Sequence, residues 1–186
     1  MSARTLTFFA AASLAGMIMA CDAESPLPTE IAMKLYLTST AFVHGQPIPQ
    51  QQAFDYQNLS PPLHWTGVPP ATKSLALICD DPDAPRGTWV HWVIYDLRPA
   101  TVELSEGVPA SPELANGAQQ GVNDFKRIGY GGPAPPPGKP HRYFFKLYAL
   151  DLNPDLKPGL TKAELLKAMN GHILAEGQLM GTYQTQ

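Results

Sequence analysis

Apolar and polar residues alternate from Met33 to Thr38 (Met-Lys-Leu-Tyr-Leu-Thr), and this period of two predicts a first β-strand. Residues 44–73 carry Pro47, Pro49, Pro61, Pro62, Pro69 and Pro70 and read as loop. Leu75 to Cys79 is apolar at every position, the pattern of a short buried strand. Trp89 to Leu97 (WVHWVIYDL) is dominated by β-branched and aromatic residues and predicts a longer strand. Strict alternation there sets Trp89, His91, Val93 and Tyr95 on one face. Residues 98–140 hold no long periodic segment, and such a stretch in a domain is usually functional or specially braced. Arg142 to Leu150 (RYFFKLYAL) is another strand; His141, Tyr143 and Phe145 share one face, and Arg142 points the other way, towards a structural ion pair. Thr161-Lys-Ala-Glu164 has capping-box spacing, and Leu165, Leu166, Met169 and Ile173 follow at helical intervals. Gly171 weakens that helix, so its end is expected between Asn170 and Ala175, with Gln178 to Tyr183 as a last short strand. One helix among several strands, without a βαβ rhythm, predicts a mainly β, antiparallel architecture.

The N-terminus follows another rule. Arg4 precedes an apolar run, Leu6 to Ala20, that ends in small residues, the layout of a secretory signal and too short for a spanning helix. Ile18-Met19-Ala20-Cys21 is similar to a lipobox, in which Cys21 would be lipidated and become the new N-terminus; a plain cleaved signal is the other reading. The expected organisation is a signal peptide over 1–20, a polar Pro-containing tether over 21–32 and a single domain over 33–186, exported to the periplasm either free or as a membrane-anchored lipoprotein. Cys79, inside an apolar run, is expected to be a buried structural thiol.

Composition narrows the functions. The chain has 186 residues, 20 Pro and 15 Gly, which favours short strands and ordered loops. A formal net charge of -3 excludes a nucleic-acid-backbone binder, and two cysteines do not build a zinc cluster; no cofactor or metal is expected.

Three stretches carry candidate chemistry. Asp80-Asp81-Pro82-Asp83-Ala84-Pro85 closes the buried strand, and three neighbouring carboxylates repel one another unless compensated. A rigid Asp-Pro turn is one reading; a carboxylate aimed into a pocket at the strand end is the other. His91 lies on the next strand, where a lone histidine is as readily structural. Gly129-Tyr-Gly-Gly132-Pro133-Ala134-Pro-Pro-Pro-Gly138 then runs into His141-Arg142-Tyr143. Its glycines can leave N–H groups exposed, and its prolines stiffen the loop, although a Pro/Gly run is often a linker. A carboxylate, two imidazoles, a phenol and glycine amides together suit an anion. An Asp beside a His would hold that imidazole cationic, and both rings are expected to be charged against a phosphate.

At these residues the chain resembles the phosphatidylethanolamine-binding protein family, in its bacterial Raf-kinase-inhibitor-like branch. The resemblance spans about residues 33–184. It rests on Asn58-Leu-Ser-Pro-Pro-Leu-His-Trp65, Asp81-Pro-Asp-Ala-Pro85 with His91-Trp92, Asn123-Asp-Phe125 with Gly129 to Pro136, and His141-Arg-Tyr143, in that order. It implies a central antiparallel sheet with a smaller sheet and one or two peripheral helices. It also implies a small cavity for phosphate, phosphorylethanolamine, acetate or similar anions. Asp81, His91, Gly132, Pro133, His141 and Tyr143 would line that cavity, Asp83 would brace its loop, and a homodimer is implied as well. Bacterial relatives often have Cys where Ala134 stands, and the C-terminal helix of the eukaryotic proteins has no counterpart before Gln186. The function expected is non-catalytic binding of a small anion or phospholipid head group. The alternatives are inhibition of a protease or kinase through an exposed loop near residues 100–120, or hydrolysis with Asp81 and His91 as an acid/base pair, for which no activated nucleophile motif is present.

Overall fold

The computed structural model describes residues 34–185. The signal and tether segments and the candidate lipidation residue Cys21 lie outside them. Among the described residues, eight strands form two antiparallel sheets. The smaller has the order β1 (Tyr36–Thr38), β2 (Leu63–Thr66), β5 (Glu103–Leu104). The larger has the order β6 (Gln119–Gln120), β4 (Trp89–Leu97), β3 (Ser74–Asp81), β7 (His141–Leu150), β8 (Ile173–Tyr183). One helix, α1 (Lys162–Met169), packs on the outer face of the larger sheet. The mainly β, antiparallel expectation holds.

The alternation of β3 and β7 builds two cores. Leu75, Leu77 and Cys79 of β3, with Tyr143, Phe145 and Leu147 of β7, face β1, β2 and β5 and form the larger cluster. Ala76 and Ile78 of β3 and Tyr148 and Leu150 of β7 face the other way, under Leu165 and Met169 of α1. A strand covered on both faces must be apolar at every position, which is why Leu75–Cys79 reads as a continuous run. Cys79 is buried with its thiol pushed well above its ordinary pKa, chiefly by desolvation, as expected of a structural residue.

The helix begins where the capping box places it: the Thr161 hydroxyl accepts from the Glu164 amide, and the Glu164 carboxylate accepts from the Thr161 amide at 2.8 Å. It ends at Met169, one residue before its C-cap Asn170. Gly171 then turns the chain with φ +83°, a left-handed conformation that side chains rarely adopt, and Ile173 opens β8. Ile173 is therefore not a helical residue, and the last strand spans eleven residues rather than the short piece expected from 178.

The aperiodic stretch 98–140 is braced by buried side chains. Gln120 accepts from the Trp92 indole at 2.8 Å and donates to the carbonyls of Pro109 and Ser111 at 2.7 and 2.8 Å. Asn123 donates to Gly129 O at 2.9 Å, and the Tyr130 hydroxyl donates to Gln52 O at 3.1 Å. These bonds turn a long connection into part of the scaffold on which the Gly/Pro loop rests.

Candidate functional site

The register between β3 and β4 sets the site. Cys79 pairs with Trp92 but Asp80 pairs with Val90, so one residue on β3 is opposed by two on β4 and His91 is the extra one. Such a bulge re-aims a side chain. Val93 and Tyr95 pack under α1 with Val90, while His91 turns to Tyr143 in the larger core, ring centroids 5.0 Å apart. The single face expected for Trp89, His91, Val93 and Tyr95 is thus divided, because strict alternation does not survive the bulge.

Alternation also splits the acidic cluster. Asp80, 1% exposed, points to the helix side and is held by Lys146 and Lys162. Asp81 points to the opposite face, and its Oδ2 accepts from Nδ1 of His141 at 2.7 Å; its Oδ1 accepts from the Asp83 amide at 2.7 Å. Asp83 faces outwards and takes both a backbone bond and a forked guanidinium contact from Arg142, which holds its carboxyl below the usual range. The three carboxylates therefore coexist because each has its own partner. Arg142 makes the structural ion pair expected of it, and Asp83 braces the loop rather than facing the cavity.

A cavity of about 400 Å³ opens where these segments meet. Asp81, His141 and Tyr143 line it from the sheet, His91 and Trp89 from β4, and Phe125 and Ala134–Pro136 from the long connection. Arg86 stands at its edge, exposed and without an ion-pair partner among the described residues. Most of the wall is apolar, with a few convergent polar groups, as in small-ligand sites generally. A larger depression of about 670 Å³ lies against Pro133, Tyr56 and Tyr183, but its one ionisable side chain other than tyrosine is the carboxylate of Asp55. It offers an anion no cation, and we assign the site to the smaller cavity.

The two imidazoles differ. His141 is clamped by Asp81, which leaves Nε2 for the cavity. His91 does not pair with a carboxylate: its Nδ1 donates to the Gly131 carbonyl at 2.6 Å, and burial lowers its pKa below the ordinary value. The expectation of two cationic rings is corrected on this point, because desolvation outweighs the nearby charge of Asp81. Tyr143 is 1% exposed; its hydroxyl lies beside the Asp81 carboxylate without reaching the geometry of a hydrogen bond, so it is left unsatisfied while burial and Asp81 together push its pKa well up. The Trp89 indole N–H is likewise buried without a partner.

The glycine amides are already engaged. Gly131 N donates to His91 O at 2.8 Å, and Gly132 N donates to Asn58 Oδ1 at 2.7 Å. A side chain at Gly132 would collide with the Gln52 carbonyl, so this glycine serves close backbone packing. Pro133 O accepts from the Phe54 amide and its ring borders the larger depression. Gly132 and Pro133 thus hold the loop from behind rather than lining the cavity as the family resemblance implies, and the Gly132 amide is not free for an anion. Trp89, Phe125 and Arg86 were missed as lining residues. Period-two spacing from His91 pointed to Trp89; nothing local marked Phe125 or Arg86.

Comparison with known proteins agrees with this architecture. The family model described as phosphatidylethanolamine-binding protein matches residues 38–184. The UPF0098 protein of Methanothermobacter thermautotrophicus is 51% identical over 148 residues, 80% of this chain and 97% of its own length. That of Chlamydia muridarum is 45% identical over 155 residues, covering 81% and 99%. Among solved structures, the PEBP homologue CT736 of Chlamydia trachomatis superposes with a TM-score of 0.75 at 43% identity, covering 83% of this chain and 99% of that one. Escherichia coli YbcL, a member of the mammalian PEBP family, gives a TM-score of 0.75 at 32% identity, covering 82% and 99%. With two antiparallel sheets and a single α-helix among the described residues, and a match over nearly all of them, the chain belongs to the phosphatidylethanolamine-binding protein family.

Proposed function

We propose that the domain binds, without turning it over, a small phosphate-like anion: phosphate itself or a phosphorylethanolamine-type head group. The observation that carries this reading is the convergence of His141, oriented by Asp81, with the unpartnered Tyr143 hydroxyl on one small cavity. A buried donor without a partner needs an explanation, and a ligand oxygen supplies one. Trp89 also lines the cavity and has a buried indole N–H without a partner, and the exposed Arg86 adds a cation to the lining. Hydrogen bonds to a charged ligand are each worth about 1.5–3 kcal/mol, so two or three suffice for a micromolar to millimolar site. Membership of the phosphatidylethanolamine-binding protein family supports binding as the general role.

Catalysis is not part of this reading. The acid/base pair that hydrolysis would use, Asp81 with His91, is not formed: both Asp81 oxygens are taken, by His141 and by the Asp83 amide. In the test, phosphate or phosphorylethanolamine raises the melting temperature of the mature domain by linkage, and replacing both His91 and His141 with Ala removes that rise. A rise of the same size in the double variant would place the ligand elsewhere. The signal-like start leads us to propose export as well, with acylation at Cys21 read out by the intact mass of protein from its own host.

A further inference from the structure

Resting on that reading, the geometry points to a site that senses a proton on its anion: His91 accepts a hydrogen bond from a ligand hydroxyl, so a hydrogen phosphate group is held more tightly than a tetrahedral dianion without a proton. The Gly131 carbonyl can only accept, so the proton shared with it at 2.6 Å belongs to His91 Nδ1. The ring cannot easily turn over. The Gly131 amide returns a bond to the His91 carbonyl at 2.8 Å, and Phe125 and Tyr143 stand edge-on to the imidazole with centroids 5.4 and 5.0 Å away. With Nδ1 engaged, Nε2 is the nitrogen left for the cavity that His91 lines, and in the neutral ring it carries a lone pair.

The groups that face this ring keep it neutral or add donors. Burial disfavours the imidazolium and outweighs, in order of size, the Gly131 carbonyl bond, the charge of Asp81 on β3, the Gly132 backbone and the charge of Asp124 in the long connection. Asp81 is occupied by His141, and Asp124 accepts from the Val90 amide at 2.7 Å. Tyr143 on β7 stays a protonated donor, and Arg86 stands at the cavity's edge. The wall thus presents several donors and one lone-pair acceptor. An anion with acceptor oxygens and one hydroxyl complements that set; an anion of the same shape without a hydroxyl leaves the acceptor facing an oxygen. Leaving a buried polar group unpaired in this way weakens binding by about tenfold or more.

Inorganic phosphate and sulfate provide the test, because at pH 8 they are tetrahedral dianions that differ by one proton. Titration calorimetry of each into the mature domain at pH 8 should give a Kd for phosphate at least about tenfold below that for sulfate. The ¹⁵N shifts of the His91 ring should report a neutral Nδ1–H tautomer in the phosphate complex. Equal affinities, or an imidazolium at His91 in the complex, would overturn the inference while leaving the anion site standing. No heat with either anion at tens of millimolar would remove both.

Discussion

At the scale of single residues, the site is defined by which polar atoms have partners. The Tyr143 hydroxyl is buried and unsatisfied, a condition that destabilises the free protein by about 1–3 kcal/mol. Tyr143→Phe should therefore leave the melting temperature unchanged or raise it, while weakening phosphate binding by about tenfold; calorimetry and thermal unfolding on the same sample separate the two effects. His91 contributes in a different way. Its folded-state pKa lies below the unfolded value of about 6.5, so the unfolded chain binds the extra proton as the pH falls through that value. Stability from this group is present above pH 6.5 and declines below it. The melting temperature of the unliganded domain should fall between pH 7 and pH 5, and His91→Gln should make that fall shallower. At this scale the sequence was partly legible. Asp81, His91, His141 and Tyr143 were each recognisable and do share one cavity, but which imidazole meets Asp81 depends on orientation, and nothing in a one-dimensional string distinguishes His91 from His141 on that score.

At the scale of elements, long strands and the capped helix announced themselves, and short or irregular ones did not. Leu63–Thr66 is four residues in a proline-rich stretch, and β5 and β6 are two residues each. Segments this short carry too few alternations to be read. Ile173 lies at helical spacing from Met169, and the left-handed turn at Gly171 decides that it starts a strand. The bulge at His91 is the most consequential feature hidden from the sequence, since a single extra residue reverses the facing of everything before it. Asp124 steadies this bulge by exchanging two bonds with Val90, amide to carboxylate at 2.7 Å and amide to carbonyl at 2.9 Å. Asp124→Ala should weaken anion binding by about tenfold with a loss of about 1 kcal/mol in stability, seen together in denaturant unfolding and calorimetry. At the other end of the molecule Thr161→Ala should cost about 1 kcal/mol of stability by uncapping α1, and should leave the Kd for phosphate untouched.

At the scale of the whole molecule, two cores flank one central sheet, and the site lies at the sheet's end, where β3 and β7 outrun the larger core. Residues from positions 81 to 143 reach it, but the framework behind it extends further: Asn58 takes the Gly132 amide, and Gln52 takes the Tyr130 hydroxyl. The Asn58 and Gly129 stretches of the family resemblance are thus joined by bonds that shape the loop rather than by ligand contacts. Rigidity of this kind lowers the ordering needed on binding. The fold class followed from composition and alternation alone, because proline, glycine and a single helical period leave few other architectures. The cavity's contents did not, since its apolar wall comes from Phe125, Trp89 and the proline loop, residues that are equally at home in an ordinary core.

The account as a whole depends on the anion lying between His141 and the two unpartnered donors. Calorimetric titration of inorganic phosphate into the wild-type domain and into a Trp89→Phe, Tyr143→Phe double variant measures this directly. The double variant keeps both rings and removes both donors, and its Kd should rise by about a hundredfold or more at unchanged fold. Wild-type affinity in the double variant would mean that the anion is held somewhere else.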